Sequence, residues 1–384
     1  MVLGICAPCS LQYFKFKGFI KGPALGSRAV PSIEAQITYL TNKPQLEVHV
    51  ITLDQNLRQP QEINYRNVTF HLIPAPRRFK LSTLYYFVAR NLADYLRKIK
   101  PEVIEAHWTY EYALGALMSG LPTVVRVHDW MDNEFKIVKR MGFLVKSLIQ
   151  KYVLRQSKFV IGDTPYIASL ARPYLKGNIY EVPNMVFPEF YQIGTQEIKS
   201  NILYLGGISQ RKNILILLEA VGNLVRRKSN FQLIVAGPAS SSSWSYRKRV
   251  VSLMRELEER GIAKNGGMLD YQRMFREMAD CAFLVHPSRE ESFGMTVAEA
   301  QAAGRPVVAG RSGGAEYLIM DGETGFLVDP DDLEGFIGKM EFLLDNDEAR
   351  RRMGQAARCR MQSLLDPDKI FAATAEIYRL AMEN

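Results

Sequence analysis

The sequence predicts an α/β protein made of two doubly wound domains that face a central cleft. Its 384 residues are many for one core, because a domain usually takes ~100–200 residues. Short β-branched runs alternate with segments whose apolar residues recur at helical spacing, which is typical of parallel strands covered by helices. The alternation stops at a proline-rich break, residues 183–188, and then starts again.

The first half of the chain contains four strand-like runs and two clear helical segments. The predicted strands are residues 48–53, 103–107, 123–128 and 159–162, and the predicted helices are residues 32–40 and 84–99. The second half repeats the pattern after a polar linker, residues 194–200. Its predicted strands are residues 202–205, 231–236, 281–285 and 306–309, and its predicted helices are residues 213–225, 246–260 and 296–303. We therefore expect one domain over 1–190, a second over 191–365, and a last helix, 366–384, that crosses back to the first domain.

The excess of positive over negative charge lies entirely in the first half. Residues 1–190 hold 24 lysines and arginines against 14 acidic residues, a net charge of +10, whereas residues 191–384 hold 25 against 26. Such a field attracts anions, whether a membrane surface, a phosphorylated acceptor or nucleic acid. Four cysteines argue against a disulfide framework, and no apolar run reaches the ~18 residues of a spanning helix. With no secretory signal evident, we expect a cytoplasmic protein.

A glycine-rich loop opens the second half. The strand at 202–205 runs into Gly206-Gly207-Ile208-Ser209-Gln210-Arg211-Lys212-Asn213 and then into a helix. Glycines admit a close backbone approach, a helix start offers free N–H groups, and arginine or lysine neutralises charge, so the loop suits a diphosphate. A basic stretch before a helix is also commonly just solvated.

Two carboxylates stand eight residues apart in the segment from Glu291 to Glu299. Glu291 closes a loop, Gly294 opens a helix, and Glu299 lies about one and a half turns further along it. This spacing does not suit a glycosidase acid/base pair. It suits a bipartite ligand, with one carboxylate on sugar hydroxyls, the other on a ribose, and helix-start amides on the phosphates between them. The alternative is a pair of unrelated surface glutamates.

Glycine-rich turns follow in the segments 304–316 and 321–328. The order Gly-Gly…Lys-Asn, Pro-Ser…Glu-x-Phe-Gly…Glu-Ala…Ala-Gly-x-Pro-Val-Val, Gly-Gly…Glu and Asp-Gly…Thr-Gly resembles glycosyltransferase family 4, the group 1 glycosyltransferases. The resemblance is highly specific over residues 201–329 and collinear over residues 1–200. It implies a GT-B fold of two Rossmann-like domains and a retaining transferase that needs neither a metal nor another cofactor. In such a fold the domain over 1–190 would bind the acceptor and the domain over 191–365 the nucleotide-sugar donor.

The resemblance also implies roles for individual residues. Glu291 would contact the hydroxyls of the donor sugar, Glu299 would hold the ribose, and Lys212 would bind the diphosphate. His128 matches the family's strand-end histidine that faces the donor sugar, and we expect it to be catalytic together with Glu291 and Lys212. The expected donor site is completed by Gly207, Arg211, Phe293, Gly294 and the backbone amides of Met295 and Thr296.

Three positions depart from the family pattern. The family usually has an arginine where this chain has Gly207, and Arg211, on the other side of the loop, is the candidate replacement. Where the family has an N-terminal Gly-Gly turn, this chain has Ala29-Val30-Pro31-Ser32. Where the family usually has Asn-Gly-Val-Asp after the linker strand, this chain has Asn184-Met185-Val186-Phe187. His107 also ends a predicted strand, and a structural role is the first interpretation for it.

We therefore expect transfer of a hexose-like sugar from a nucleoside diphosphate to an acceptor hydroxyl with retention of configuration. The expected acceptor is a sugar, a lipid-linked sugar or a cell-surface glycan precursor, and nucleic acid is not an expected partner. Two alternatives stay open: an epimerase or phosphorylase on the same fold, and a non-enzymatic binder of an anionic polymer. The binder would use the basic and aromatic segments 13–17 and 77–80.

Residues 139–155 form a basic amphipathic helical pattern. Met141, Leu144, Val145, Leu148, Tyr152 and Arg155 share one face, with Lys139, Lys146 and Lys151 largely off it. Two interpretations are open: the apolar row packs on the domain's own sheet, or the helix docks on the anionic surface of a membrane.

Overall fold

A computed structural model describes residues 1–20, 29–75, 85–194, 200–228, 230–238 and 243–384. The chain forms two compact units. The first comprises Met1–Phe135, Arg140–Met185 and Pro367–Asn384, and the second comprises Lys136–Lys139 and Val186–Asp366. The basic segment 77–80 lies outside the described residues.

The first unit is built on an eight-stranded sheet. Its strands are β1 (Val2–Cys6), β2 (Glu47–Asp54), β3 (Gln61–Tyr65), β4 (Val68–Pro74), β5 (Val103–His107), β6 (Thr123–Val127), β7 (Phe159–Gly162) and β8 (Asn178–Glu181). They lie in the order β3-β4-β2-β1-β5-β6-β7-β8, and all neighbours are parallel except β3 and β4. The direction of winding reverses between β1 and β5, which makes this pair the switch point of the unit.

The helices of this part of the chain cover the sheet. They are α1 (Gln12–Phe16), α2 (Pro31–Leu40), α3 (Tyr86–Ile99), α4 (Glu111–Ser119), α5 (Met131–Val138), α6 (Met141–Gln156) and α7 (Pro165–Ala171), followed by a 3-10 turn (Arg172–Tyr174). Every residue of β5 and of β7 is buried, because helices cover a parallel sheet on both faces.

The second unit is built on six parallel strands. They are β9 (Asn201–Leu205), β10 (Gln232–Ala236), β11 (Ala263–Gly267), β12 (Cys281–His286), β13 (Val307–Gly310) and β14 (Gly325–Val328), in the order β11-β10-β9-β12-β13-β14. Its helices are α8 (Pro188–Gln192), α9 (Ile214–Leu224), α10 (Trp244–Glu259), α11 (Tyr271–Asp280), α12 (Met295–Ala302), α13 (Gly313–Leu318), α14 (Leu333–Asp345) and α15 (Asp347–Leu364). The winding reverses between β9 and β12, as in dinucleotide-binding sheets.

The last helix, α16 (Pro367–Met382), belongs to the first unit although it follows the second in the chain. Its buried residues include Ile377 and Tyr378. The Tyr378 hydroxyl donates a hydrogen bond to Oε2 of Glu105 on β5. Among the described residues, no helix is long and apolar enough to cross a bilayer.

The structure of helix α6 bears on both interpretations of the segment 139–155. Of the shared row, Met141, Leu148 and Tyr152 are 68%, 61% and 54% exposed, whereas Val145 packs partly buried against the core. The face that is fully buried includes Val153 and Leu154. The helix is therefore apolar on two sides, and only one side is buried.

The segment 13–17 is not available as a binding surface of aromatic side chains. Tyr13 and Phe14 are fully buried in α1, and the Phe14 ring lies 4.9 Å from that of Phe70 on β4. Only Phe16 of the three aromatic residues is exposed. The segment is thus part of the core with lysines on its surface, which contradicts the binder interpretation at this position.

Candidate active site

The switch point of the second unit brings two loops together. Strands β9 and β12 are adjacent and parallel, so the loop 206–213 after β9 and the loop 287–294 after β12 leave the same edge of the sheet. The backbone N–H of Arg289 donates to the carbonyl of Arg211 at 2.9 Å and joins the two loops. Ligands of doubly wound sheets bind at this edge, at the switch point.

The loop after β9 is folded tightly against β10. The Tyr204 hydroxyl donates to the carbonyl of Gly207 at 2.9 Å. At Gly237 the backbone has φ +141, and a Cβ there would lie 2.0 Å from the carbonyl oxygen of Gly206, so only glycine fits. Asn213, with φ 53 in the left-handed region, ends the loop immediately before α9.

Glu291 is the centre of the polar contacts in these loops. Its Oε2 receives Lys212 Nζ at 2.5 Å, His286 Nε2 at 2.9 Å and Ser288 Oγ at 3.2 Å. The guanidinium of Arg211 lies 3.6 Å from the same oxygen. The structure therefore brings together Arg211, Lys212 and Glu291, three of the residues predicted for the donor site.

Charge compensation keeps Glu291 ionised. Burial alone would raise the pKa of its carboxyl group, but Lys212, the hydrogen bond from His286 and the nearby Arg211 together hold that pKa well below its usual range. Burial and Lys212 lower the pKa of His286, so this imidazole is neutral. It donates from Nε2 to the carboxylate, while its Nδ1 has no hydrogen-bond partner among the described residues.

The start of α12 presents free backbone amides close to this carboxylate. Gly294, with φ 94, turns the chain into the helix, and Ala298 is the first residue whose N–H bonds back to Gly294. The N–H groups of Met295 and Thr296 therefore have no partner within the helix and can bind an anion. Phe293 is buried, and its ring packs beside that of Tyr317 on α13 with centroids 6.5 Å apart, so its side chain anchors the loop in the core. Glu299 lies buried further along the helix.

Arg211 is oriented by the second loop. Its NH1 donates to the carbonyl of Glu290 at 2.8 Å, and the same nitrogen is the one near Glu291. The guanidinium thus stands beside the carboxylate predicted to contact the sugar, whereas Gly207 contributes a carbonyl to Tyr204. Whether Arg211 replaces the family's usual cation stays a prediction.

His286, Ser288 and Arg289 are polar partners of the site that the sequence did not reveal. His286 was included in no prediction because it ends an apolar run, where a histidine is usually a core residue. The available signal was its position directly before Pro287-Ser288, at the carboxyl end of strand β12 beside the switch point. Arg289 also donates to Asn213 and Asp331 and so links the two loops.

His128 belongs to the first unit, directly after β6. Its Nε2 lies 2.8 Å from Nδ1 of His107 at the end of β5, and the two rings lie end to end, nearly coplanar, with centroids 5.1 Å apart. The centroid of the Trp108 ring lies 4.6 Å from that of His128. The Nδ1 of His128 faces Oδ2 of Asp163 at 3.5 Å. Thus His107, for which the sequence favoured a structural role, is bonded directly to the predicted site histidine.

The first unit also contains a cavity of about 850 Å³ near its own switch point. Aromatic side chains line it, and it also carries ionisable groups: Tyr85, Trp108, Tyr110, Tyr112, Glu111, Asp129 and Lys146. Tyr85 and Trp108 both have φ 64, in the left-handed region that residues other than glycine seldom adopt and that recurs at functional sites. Within the described ranges, no group of three or more His, Cys, Asp or Glu side chains could hold a metal ion.

The chain matches two families of known proteins. Residues 189–360 match the family described as Glycosyl transferases group 1, and residues 41–183 match that described as Glycosyl transferase 4-like domain. An uncharacterized glycosyltransferase of Methanocaldococcus jannaschii is 26% identical over 326 residues, which cover 81% of this chain and 83% of that protein. The D-inositol 3-phosphate glycosyltransferase of Corynebacterium diphtheriae is 35% identical over 159 residues, 40% of this chain and 36% of that protein.

Solved structures show the same fold. Sucrose-phosphate synthase from Thermosynechococcus elongatus has a TM-score of 0.77 at 18% identity, over 99% of this chain and 98% of its own. Anabaena HepE, in complex with UDP and glucose, has a TM-score of 0.67 at 17% identity, over 97% of this chain and 98% of its own. Together these matches confirm the fold and the family that the sequence predicted: the chain belongs to the group 1 glycosyltransferases of the family 4 type, has the GT-B fold, and is a nucleoside-diphosphate-sugar-dependent glycosyltransferase.

Proposed function

We propose that this enzyme transfers a hexose-like sugar from a nucleoside diphosphate to an acceptor hydroxyl with retention of the anomeric configuration. One observation carries the proposal: Lys212, Arg211 and the free amides at the start of α12 surround Glu291 at the switch point of the second unit. Cations and helix-start amides bind a diphosphate, and a carboxylate beside them binds sugar hydroxyls.

The barrier of such a reaction lies in the departure of the nucleoside diphosphate, as positive charge develops on the sugar ring. Lys212 and the amides of Met295 and Thr296 would stabilise the negative charge that grows on the leaving oxygen. Glu291 would orient the sugar through its hydroxyls, and Glu299 would hold the ribose. No protein nucleophile is evident among the proposed site residues, which favours attack by the acceptor on the face that the diphosphate leaves.

A thermal-shift screen of UDP-glucose, GDP-mannose and ADP-glucose tests the donor site, because a ligand that binds the folded state raises Tm by mass action. UDP-glucose comes first, since the structurally similar HepE has been seen in complex with UDP-glucose. The product of the stabilising donor with a panel of alkyl glycosides is then analysed by NMR. Retention requires the same anomeric configuration in donor and product. An inverted product would refute the mechanism, and product without any acceptor would indicate an epimerase.

The acceptor site that we propose is the cavity of the first unit. Aromatic rings such as Tyr85 and Tyr110 suit the apolar face of a sugar, and Asp129 and Glu111 suit its hydroxyl groups. The ammonium group of Lys146 lies 4.8 Å from the centre of the Tyr110 ring and adds a positive charge to the same wall. These groups favour a sugar or glycan acceptor, including one attached to a lipid. Lys146→Ala should raise KM for the best alkyl glycoside while leaving KM for the donor unchanged.

We also propose that helix α6 docks the enzyme on an anionic membrane. Its exposed row, Met141, Leu148 and Tyr152, is bordered by the exposed cations Arg140 and Arg155. Apolar side chains enter the interface, and each basic residue near an anionic surface adds ~1 kcal/mol. This docking would bring a lipid-linked acceptor within reach of a protein that approaches from the aqueous side.

Co-sedimentation with vesicles tests the docking. Binding should rise with the fraction of phosphatidylglycerol in phosphatidylcholine, fall in high salt, and drop for Arg140→Glu with Arg155→Glu. The matched control is Arg351→Glu with Arg352→Glu on α15, which changes the net charge equally on exposed residues of the second unit. Binding that ignores lipid charge, or that the control pair reduces equally, would contradict docking through α6.

A further inference from the structure

The first unit holds a chain of four ionisable side chains at the carboxyl ends of three neighbouring strands. Glu105 and His107 are on β5, His128 follows β6, and Asp163 follows β7. The contacts are His107 Nε2 to Glu105 Oε1 at 3.7 Å, His107 Nδ1 to His128 Nε2 at 2.8 Å, and His128 Nδ1 to Asp163 Oδ2 at 3.5 Å. A carboxylate therefore stands at each end of a histidine pair.

The Glu105 end of the chain is fixed. This fully buried carboxylate accepts Arg126 Nε at 2.6 Å on Oε1 and Gln36 Nε2 at 2.6 Å on Oε2, and it accepts the Tyr378 hydroxyl as well. Burial alone would raise its pKa, but Arg126 and the hydrogen bond from the Tyr378 hydroxyl outweigh burial and lower the pKa to about 2. Glu105 is thus an anion throughout the working range of pH.

The position of Glu105 selects the tautomer of His107. This ring is fully buried, and its Nε2 has no hydrogen-bond partner among the described residues, with Glu105 Oε1 facing it at 3.7 Å. A hydrogen on Nε2 is attracted by that carboxylate, whereas a lone pair would be repelled. Burial also lowers the pKa of His107 and keeps the ring neutral. Its Nδ1 must then be the acceptor in the 2.8 Å contact, and Nε2 of His128 the donor.

The Asp163 end holds the other edge of the His128 ring. Asp163 is buried, receives Asn184 Nδ2 at 3.0 Å on Oδ2, and turns the same oxygen toward Nδ1 of His128 at 3.5 Å. The ring of His128 is thus placed between His107 and Asp163, and of these two contacts the one with His107 is of hydrogen-bond length.

We propose that His107 is the positioning residue of His128: held by Glu105 as the Nε2–H tautomer, it accepts the Nε2 hydrogen of His128. The hydrogen positions in this proposal rest on contacts within the first unit, and its activity test rests on the proposed function.

The hydrogen positions can be measured without any substrate. The full chain is labelled with ¹⁵N-histidine, and long-range ¹H–¹⁵N correlation spectra at pH 7 separate its five histidines, which single substitutions assign. We expect His107 as the neutral Nε2–H form and a hydrogen on Nε2 of His128. An Nδ1–H form of His107, or an Nε2 of His128 without a hydrogen, would overturn the proposal. The pair His49 and His71, also 2.8 Å apart but with the carboxylate of Glu62 exposed, is the internal comparison.

Two variants of the chain test the positioning role by activity. His107→Gln and Glu105→Gln should each lower kcat by about 10-fold with little change in KM for the donor, because the orientation of His128 and not the ground-state binding is lost. Glu105→Gln should convert His107 to a mixture of tautomers in the NMR spectrum, which loss of stability alone would not do.

The control variant is His71→Gln, which removes the other histidine pair and should leave kcat unchanged. If His128→Ala lowers kcat and His107→Gln does not, the positioning role is wrong. If His128→Ala itself leaves kcat unchanged, the expectation from the sequence that His128 is catalytic is wrong, and the NMR spectra decide the tautomers independently of it.

Discussion

The Nζ of Lys212 lies 2.5 Å from Oε2 of Glu291, so the cation proposed to bind the diphosphate and the carboxylate proposed to bind the sugar form one ion pair. Both side chains are largely buried, and their loops follow two adjacent strands. When a donor binds, this ion pair must therefore open, so that Lys212 contacts the diphosphate and Glu291 contacts the sugar. The two residues should behave as coupled in any mutational study.

Lys212→Ala should slow the chemical step more than it weakens donor binding. The side chain is directed to the position where negative charge grows as the diphosphate departs, and loss of one such electrostatic contact commonly costs ~10²–10³-fold in kcat. Steady-state kinetics with the donor from the thermal screen measure kcat and KM separately. Arg227→Ala, which removes an exposed cation paired with Glu341, is the control. Turnover near that of the wild type would transfer the role to Arg211.

Glu299→Ala should weaken the binding of bare nucleotides more than Glu291→Ala does. A ribose contact is present in a free nucleotide, whereas a sugar contact is not, and a buried hydrogen bond to a charged group is worth ~1.5–3 kcal/mol. Calorimetric titration of UDP, GDP and ADP into both variants compares the losses. Glu256→Ala, an exposed glutamate paired with Arg260, controls for loss of charge. Equal losses from the two site variants would refute the division of roles.

Activity should persist in excess EDTA. The groups proposed to stabilise the leaving diphosphate are Lys212, Arg211 and the amides at the start of α12, and none of them is a metal ligand. The assay compares initial rates with and without the chelator at saturating donor. Complete loss, with recovery on addition of one divalent ion, would contradict this prediction.

Asp129→Asn should stabilise the protein at pH 7.5 and have little effect below about pH 4. Burial, as the main cause, raises the pKa of Asp129 from 3.8 to about 6. Because the folded state then holds this proton more tightly than the unfolded state, stability contributed by the protonated acid is present below pH 3.8 and is lost as pH rises through 6. Asparagine is neutral throughout and avoids the loss, which is worth about 1–3 kcal/mol.

Thermal unfolding at both pH values measures the difference. Asp94→Asn, at an exposed aspartate paired with Arg97, is the matched control and should show no such dependence on pH. The same change in Tm at pH 4 and pH 7.5 would mean that Asp129 titrates normally. Asparagine can still accept the hydrogen bond that Asp129 receives from the Tyr110 hydroxyl at 2.9 Å, so the local contact is retained.

Eight strands could be predicted from the sequence within one residue of their ends, because strands buried on both faces are continuous apolar runs. They are β2, β5, β6, β7, β9, β10, β12 and β13. Strands β1 and β4, which are also central in their sheet, were not among the predictions. The edge strands β3 and β11 could not be predicted. Gln61–Tyr65 is a polar edge strand, and Ala263–Gly267 contains two glycines and an exposed lysine, so neither has the pattern of a buried strand. Edge strands are specified by their neighbours rather than by their own residues.

The candidate site was predictable where residue type and spacing specify chemistry, as for Lys212 and Glu291. The bond from His286 was not, because its contact with Glu291 depends on the packing of β12 between β9 and β13, which no local pattern records. The buried face of helix α6 could not be predicted for a different reason. Its sequence is apolar on two faces, and periodicity alone cannot say which of Leu148 and Val153 is buried.

The return of α16 to the first unit has a consequence for synthesis of the chain. Glu105 and its partner Tyr378 are separated by 273 residues. A ribosome that adds ~5–20 residues per second therefore takes roughly 15–55 seconds between the two. During that interval the first unit lacks the helix that packs on β5 and β6, and Glu105 lacks the hydrogen bond from Tyr378. A stop codon shortly before Tyr378 should therefore destabilise the first unit more than the second unit.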